Sequence, residues 1–498
     1  MKIKILTTLL LIMSLASCED FLDKPIKGVQ TVDNYYSDEI ESEYAVIGAY
    51  ASLSPEDWWQ MDFYWLIGDV CSDDAFKGNS IAGDQADFGF LANYNINPGN
   101  EWLDVKWRYT YITISRCNLI IENVPNGATP QNLKDKFIAE AKFLRAFSYF
   151  ELVRNFGGVP MPLKNLSPNE ATLPRSTEQD VWQQIVTDLT EAAEKLPSRN
   201  SQEADEQGRA TKEAAWAYLA KAHAYQKNWP EAQDFAQLAI TSGAYSLESD
   251  FKNIWSVDNP NGVESIFEIQ HNYNDVFRVG NALPVITRSR ADGGWGFASP
   301  SSNLEKFMAG DPRLVHTIIK QGDNVDSDHP SYDTNPSENE SGRTTRKFYL
   351  PLSDRAPNNE YVTSPLNHIL FRYADLLLLH AEAAAENGQT SVAQNSLNEV
   401  RRRVGLPNVT SGDILNAVRS ERRKELALEG HRFFDLKRWG LLDEAIEDFL
   451  DYNLNENNDP YDAGNTKGQL FQMHHYLFPI PQTEIDLSQG KIVQNPGY

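Results

Sequence analysis

Cysteine and basic residues are both scarce in this chain of 498 residues. Its three cysteines are too few for a disulfide framework; Cys71 and Cys117 could pair in an exported protein, but buried free thiols are the favoured interpretation. The 45 lysines and arginines face 70 aspartates and glutamates, which gives a formal net charge of −25. Because so acidic a surface repels nucleic acid and anionic headgroups, we expect no nucleic-acid partner.

Long apolar runs are also absent after the first 17 residues, so we expect no membrane-spanning helix in the remainder. The sequence contains no GxSxG, HExxH, phosphate-binding loop or dinucleotide fingerprint. With 70 acidic residues, carboxylate pairs suited to glycoside hydrolysis arise by chance and are uninformative. The sequence therefore predicts a protein that is not an enzyme and that has no cofactor.

The first 17 residues have the pattern of a secretory signal peptide. Two lysines precede an apolar stretch from Ile5 to Met13, and small residues follow. The order Leu15-Ala16-Ser17-Cys18 resembles the lipobox of bacterial lipoproteins, in which the cysteine is acylated and becomes the first mature residue. We therefore predict a signal peptide over residues 1–17 and lipidation of Cys18; an ordinary secreted protein is the alternative.

Helical periodicity dominates two long parts of the chain, about 36–250 and 366–498. Two segments, about 54–101 and 250–365, instead combine Gly, Asn and Asp with many aromatic residues and little periodicity. Their aromatic content argues against disorder. The sequence therefore predicts a mainly α-helical fold with long irregular loops and little β structure.

Two stretches carry the spacing of a tetratricopeptide repeat, between residues 214 and 242 and between residues 377 and 400. In the first, Ala220 and Ala232 fall at the eighth and twentieth positions, where small side chains let two antiparallel helices approach closely. Because the matches are far apart, they predict helix pairs laid beside one another with long insertions between them. Two unrelated helical hairpins remain the alternative.

A run of alternating charges extends from Glu421 to Trp439. An anion site would use these charges, but pairs four residues apart also stabilise a helix, and Leu426 and Phe433 fall among them as core residues. We therefore predict that this run is scaffold.

Two acidic segments have part of a calcium-binding pattern. One begins at Asp451, but Glu456 stands where the required glycine belongs and Asp462 replaces the closing glutamate. The other, at residues 323–328, fits less well. We predict surface turns at both places and no metal site.

The tryptophans suggest a binding surface, since five of the eleven lie between residues 58 and 107. An aromatic ring matches the apolar C–H face of a sugar, while charged and amide groups bond its hydroxyls. Trp65 and Trp107 lie in apolar or helical patterns and are assigned to the core; for the other aromatics a core role is the alternative. The candidate ligand contacts are Trp58, Trp59, Asp73, Asp74, Lys77, Asn79, Phe88, Tyr94, Tyr273, Arg288, Trp295 and Phe297.

Ordered motifs along the chain point to one family. The C-terminal ones are FRYADLLLLHAEAAAENG (371–388), LNEVRRRVGLP (397–407), VRSERRKELALEGHRFFDLKRWG (418–440) and FPIPQTEIDLSQGKIVQNPGY (478–498). Together with SCEDFLDKP (17–25), their order and spacing resemble the SusD/RagB family of outer-membrane nutrient-binding lipoproteins.

This resemblance implies a single SusD-like domain over residues 18–498, built on tetratricopeptide-like helix pairs. It also implies a lipid-anchored, surface-exposed protein of the outer membrane that captures oligosaccharide or polysaccharide. A SusC-like TonB-dependent transporter would be its partner and would receive the glycan. A peptide- or protein-binding role within the family is the alternative, and a surface glycoside hydrolase is a less favoured third interpretation.

Overall fold

The computed structural model describes residues 35–54, 62–81, 83–167, 170, 172–273, 280–355 and 364–498. None of the helices in these ranges is long and apolar enough to cross a membrane. The α-helices are α1 (Glu39–Ala51), α2 (Ile67–Val70), α3 (Ala86–Ala92), α4 (Glu101–Asn123), α5 (Gln131–Phe156), α6 (Glu178–Lys195), α7 (Lys212–Tyr225), α8 (Trp229–Thr241), α9 (Leu283–Thr287), α10 (Ser302–Phe307), α11 (Leu314–Thr317), α12 (Tyr373–Glu386), α13 (Thr390–Arg403), α14 (Ile414–Glu425), α15 (Arg432–Trp439), α16 (Leu442–Asp451) and α17 (Gln482–Leu487).

Strands are few and short. They form two antiparallel pairs, β1 (Ser265–Ile269) with β4 (His368–Arg372) and β2 (Ile318–Lys320) with β3 (Arg343–Thr345). The predicted mainly helical fold with little β structure is therefore confirmed.

The two predicted helix pairs are α7 with α8 and α12 with α13. Ala220 of α7 and Ala232 of α8 are both completely buried. The pairs lie side by side, because α8 packs on α12. Gln233 of α8 also exchanges hydrogen bonds with Asn387 and Gln389 at 2.8 and 2.9 Å, which joins the two pairs at their turns.

The long helices α4, α5 and α6 form the neighbouring part of the scaffold. Arg145 of α5 is buried between the other two helices and forms a bidentate pair with Asp188 of α6, both N–O distances being 2.8 Å. Its third contact, also 2.8 Å, is with the side chain of Asn118 on α4. One arginine thus fixes the relative positions of three helices.

Buried arginines also connect elements that are distant in sequence. Arg372, at the junction of β4 and α12, is 1% exposed and contacts three buried carboxylates at 2.6 to 2.7 Å, those of Glu264, Glu425 and Glu429. Glu425 is shared with the buried Arg313, at 2.7 Å. These charges tie β1, β4, α12, α14 and the turn after α14 together.

The charged run from Glu421 to Trp439 is part of this scaffold, as predicted. Most of its partners, however, lie on other elements instead of four residues away. Arg422 pairs with Asp375 of α12 at 2.7 Å, and Arg438 forms a bidentate pair with Glu382 of α12 at 2.6 Å.

The main hydrophobic core includes residues from Tyr36 to Ile492, so the first and last described helices pack into one core. Trp107 is buried, and Trp65 packs against the core, as predicted for both. Cys71 and Cys117 are buried free thiols, and burial raises the pKa of each to about 12.

Replacing Ala220 with Leu is expected to lower the free energy of unfolding by about 1–3 kcal/mol, because the added atoms overpack the α7–α8 contact. Denaturant unfolding followed by circular dichroism measures this. Gln237→Leu, at an exposed position of α8, is the control and should change stability by less than about 0.5 kcal/mol. Equal stability of Ala220→Leu and wild type would contradict the close packing.

Replacing Arg372 with Met is expected to lower the free energy of unfolding by about 3–5 kcal/mol, because three buried carboxylates lose their shared counter-ion. The control is Lys252→Met, which removes an exposed pair with Asp250 and should cost at most about 1 kcal/mol. Urea midpoints of the two variants at neutral pH give the comparison. If both variants lose the same small amount, the buried network is not a main source of stability.

Candidate functional site

The two loop-rich segments meet along residues 75–80. On one side, residues 76–77 exchange backbone hydrogen bonds with residues 298–299 at 2.7 and 2.8 Å. On the other side, residues 78–80 bond to residues 338–340 at 2.8 and 2.9 Å. Parts of both predicted insertions therefore form one continuous surface.

A glycine permits this close approach. Gly78 has a φ of +100°, and a Cβ atom at this position would lie 2.5 Å from the carbonyl oxygen of Gly296. A larger residue would force the two segments apart.

The side chain of Lys467 holds the turn that leads into residues 75–80. The buried Lys467 ammonium donates to three backbone carbonyls, those of Val70 at 2.7 Å, Ser72 at 2.5 Å and Ala75. An ammonium group has three donors, so this cage matches its full hydrogen-bonding capacity.

Asp73 and Asp74, predicted to contact ligand, are instead buried structural residues. Asp73 pairs with Arg432 at 2.8 Å, and Arg423 contacts Asp73 at 2.9 Å and Asp74 at 2.8 Å. Burial alone would raise the pKa of Asp73, but the Arg423 and Arg432 guanidinium groups outweigh it and hold that pKa well below its usual range. We therefore exclude both aspartates from the ligand-contacting surface.

Four further candidates are also buried. Phe88 and Phe297 pack edge to face in the core, with ring centroids 6.0 Å apart. The Tyr94 hydroxyl donates to the carbonyl of Cys71 at 2.5 Å, and Asn79 donates to Asp84 at 2.6 Å. These side chains support the surface from inside, where a ligand cannot reach them.

Arg288 is 7% exposed and lies behind the surface. Its guanidinium contacts the carbonyl of Gly293 at 3.4 Å and lies 3.9 Å from a carboxylate oxygen of Asp292. Burial, followed by repulsion from the neighbouring Arg355, lowers the pKa of this arginine. Arg288 therefore shapes the turn that follows it and is not a main ligand contact.

Trp295 is the candidate whose position best fits ligand binding. Its side chain is partly exposed. The indole ring is nearly parallel to the ring of the buried Phe63, with an interplanar angle of 14° and a distance of 6.2 Å between the ring centroids. The ring centroid of Phe63 in turn lies 4.6 Å from that of the buried Trp102. Trp295 is thus the outer layer of an aromatic stack, which fixes the orientation of its ring.

Polar side chains lie close to the two residues that follow this tryptophan, since a Cβ atom at Gly296 would lie 3.7 Å from the Arg290 side chain. Arg290, on the same turn, pairs with Asp84, and both are partly exposed. The Lys77 ammonium lies 5.8 Å from the Phe297 ring, and burial is the main cause of its lowered pKa. We call Trp295, Arg290, Asp84 and Lys77 the Trp295 platform.

Asp84 was not predicted, because a single aspartate in an aperiodic segment carries no local signal. Phe90 was also missed. It is 37% exposed and follows Gly89, where a Cβ atom would lie 3.2 Å from the Lys77 side chain. Phe88 and Leu91 are three residues apart and both buried, so they lie on the inner face of helix α3. Helical periodicity could therefore have indicated that Phe90 faces outward.

Tyr273, the remaining candidate among the described residues, is partly exposed. Trp58, Trp59 and Cys18 lie outside the described residues. Asp62 accepts a hydrogen bond from the backbone of Ala282 at 2.8 Å, so the described chain after Trp59 lies against the second loop-rich segment.

The acidic segments considered for calcium bond to protein donors. Asp462 accepts from the backbone of Ser302 and from the side chain of Asn457, both at 2.8 Å. Asp326 accepts from Tyr349 at 2.5 Å and from the backbone of His329 at 2.8 Å. Among the residues that the structure describes, no group of three or more His, Cys, Asp or Glu side chains could hold a metal ion.

Comparison with known proteins extends over nearly the whole chain. SusD-like protein P2 of Formosa agariphila is 26% identical over an alignment covering 99% of both chains. The starch-binding protein SusD of Bacteroides thetaiotaomicron is 23% identical, covering 80% of this chain and 78% of its own. A solved laminarin binding SusD-like protein is 29% identical with a TM-score of 0.78, covering 93% of this chain and 100% of its own.

Two family models match in succession. Residues 27–223 match the family described as starch-binding associating with outer membrane, and residues 241–498 match the SusD family. The second match covers more than half of the chain and includes the helices that carry the buried arginine network. The chain therefore belongs to the SusD family.

Proposed function

We propose that this protein is a lipid-anchored receptor at the outer-membrane surface that binds a glycan without cleaving it. The observation that carries the proposal is the Trp295 platform, an oriented and partly exposed indole with charged groups close to the residues that follow it. Relatives named as laminarin- or starch-binding proteins support the same ligand class.

The platform offers what a sugar ring needs. The indole face matches the apolar C–H face of a hexose, and Arg290, Lys77 and Asp84 supply donors and acceptors for the hydroxyl rim. Because the Phe63–Trp102 stack already holds the indole in place, little side-chain entropy is lost on binding.

Binding is expected to be weak, with a Kd between about 1 μM and 1 mM. Sugars are strongly hydrated, so stacking gains are largely offset by desolvation of hydroxyls that pair imperfectly. Weak binding suits a receptor that releases its ligand. We propose a SusC-like TonB-dependent transporter as the partner that receives it.

Trp295→Ala is expected to weaken glycan binding about tenfold, because it removes the stacking surface. Calorimetry with laminarin and starch oligosaccharides measures the change, and chromatography after long incubation should show no shorter products. The matched control is Trp229→Ala, a partly exposed tryptophan on α8, which should bind normally. Undiminished binding by Trp295→Ala would place the site elsewhere, and product formation would indicate a hydrolase.

Cys18→Ala is expected to move the protein from the membrane fraction to the soluble fraction, because acyl chains supply about 0.8 kcal/mol per buried CH₂. Fractionation of cells after a high-salt wash tests this. Cys117→Ala, which removes a buried thiol, is the control and should stay membrane-bound. A Cys18→Ala protein that remains on washed membranes lacking the transporter would contradict the lipid anchor.

A further inference from the structure

A second cleft lies on the helical scaffold and shares no residue with the Trp295 platform. Its volume is about 320 Å³, at the lower end of the range for small-ligand sites. Helices α14, α15 and α16 supply most of its lining, and the lining residues of α14 and of α16 are called the α14 wall and the α16 wall. The lining residues used below are Phe307, Asn416, Arg419, Ser420, Trp439, Glu444 and Asp448.

The α14 wall presents polar groups whose hydrogen-bonding capacity the protein does not use. The guanidinium carbon of Arg419 lies over the Trp439 ring, 5.2 Å from its centroid. The buried Nε of Arg419 has no hydrogen-bond partner among the described residues. One terminal nitrogen of the guanidinium forms an ion pair with Glu386 at 3.8 Å. Asn416 and Ser420, one helical turn apart, are exposed on the same wall.

The α16 wall presents acceptors. Glu444 and Asp448 are four residues apart, so both project from the same side of the helix. Both are exposed, and they form no ion pair with any part of the chain that the structure describes. Donors on α14 and acceptors on α16 therefore line the same cleft.

Aromatic and aliphatic groups complete the cleft. Phe307 is partly exposed at the end of α10, and Trp439 is partly exposed at the end of α15. The indole Nε1 of Trp439 donates to the buried Glu382 at 2.7 Å, which fixes the ring. Leu441, which is partly exposed, adds apolar surface to the cleft.

We propose that this cleft is a second saccharide-binding site, which takes a neutral sugar. Because the cleft carries charges of both signs, an ion is attracted by one wall and repelled by the other, whereas a neutral ligand meets neither effect. The two other arginines of the cleft are already neutralised by Asp73 and Asp74. A hydroxyl group both donates and accepts, so a polyhydroxylated ring satisfies both walls at once. The ligand class rests on the proposed function, whereas the cleft is independent of the Trp295 platform.

Fluorine NMR of protein labelled with 5-fluorotryptophan distinguishes binding in the second cleft from binding at the Trp295 platform. The Trp439 resonance reports on the cleft, and the Trp295 resonance reports on the platform. Trp439→Phe and Trp295→Phe assign the two resonances. Addition of laminarihexaose or maltohexaose is expected to shift the Trp439 resonance in the wild type and equally in Trp295→Ala.

The matched variants are Glu444→Ala in the cleft and Glu447→Ala, an exposed position of α16 that does not line it. Glu444→Ala should raise the ligand concentration needed for half of the Trp439 shift at least fivefold, and Glu447→Ala should leave it unchanged. A Trp439 resonance unmoved by every saccharide that shifts Trp295 overturns the second site and leaves the proposed function intact. If no neutral hexasaccharide moves either resonance, both proposals are overturned.

Discussion

The buried contact between Arg372 and its three glutamates is the constraint on which the rest of the structure depends. A buried charge is tolerated only when its partners are in place, so this arginine requires β1, α12, α14 and the following turn to come together. Lys347, from the second loop-rich segment, joins the same cluster by donating to the carbonyl of Glu425 at 2.9 Å. The irregular part of the chain is thereby attached to the helical part through charge.

The scaffold gives the Trp295 platform its rigidity. Residues 75–80 are held along one edge by residues 298–299 and along the other by residues 338–340. Arg423 and Arg432 form ion pairs with Asp73 and Asp74, which directly precede these residues. The helices therefore determine where the loop surface lies, and side chains on the loops determine what it can bind.

The helical part could be predicted from the sequence because its information is periodic. Small residues such as Ala220 and Ala232 report directly on close helix packing. The loop part could be predicted only in outline. The structural role of Asp73 and Asp74 has no local signal, because their partners, Arg423 and Arg432, stand about 350 residues away in the sequence.

Aromatic residues in the loops caused the other errors. In an aperiodic segment, a ring that fills a local core and a ring that faces solvent have the same sequence signature. Phe88 and Phe297 are core residues, while Trp295 is the partly exposed end of the stack on Phe63. Distinguishing the two roles requires knowing which distant segments pack together, and that is a tertiary property.

The Lys467 cage has a consequence for the medium in which the protein works. Backbone carbonyl oxygens are among the ligands that calcium ions take in proteins. Here a covalently attached ammonium group occupies that position. The turn at residues 70–75 therefore carries its own cation, and it needs no metal ion to bring these three carbonyl oxygens together.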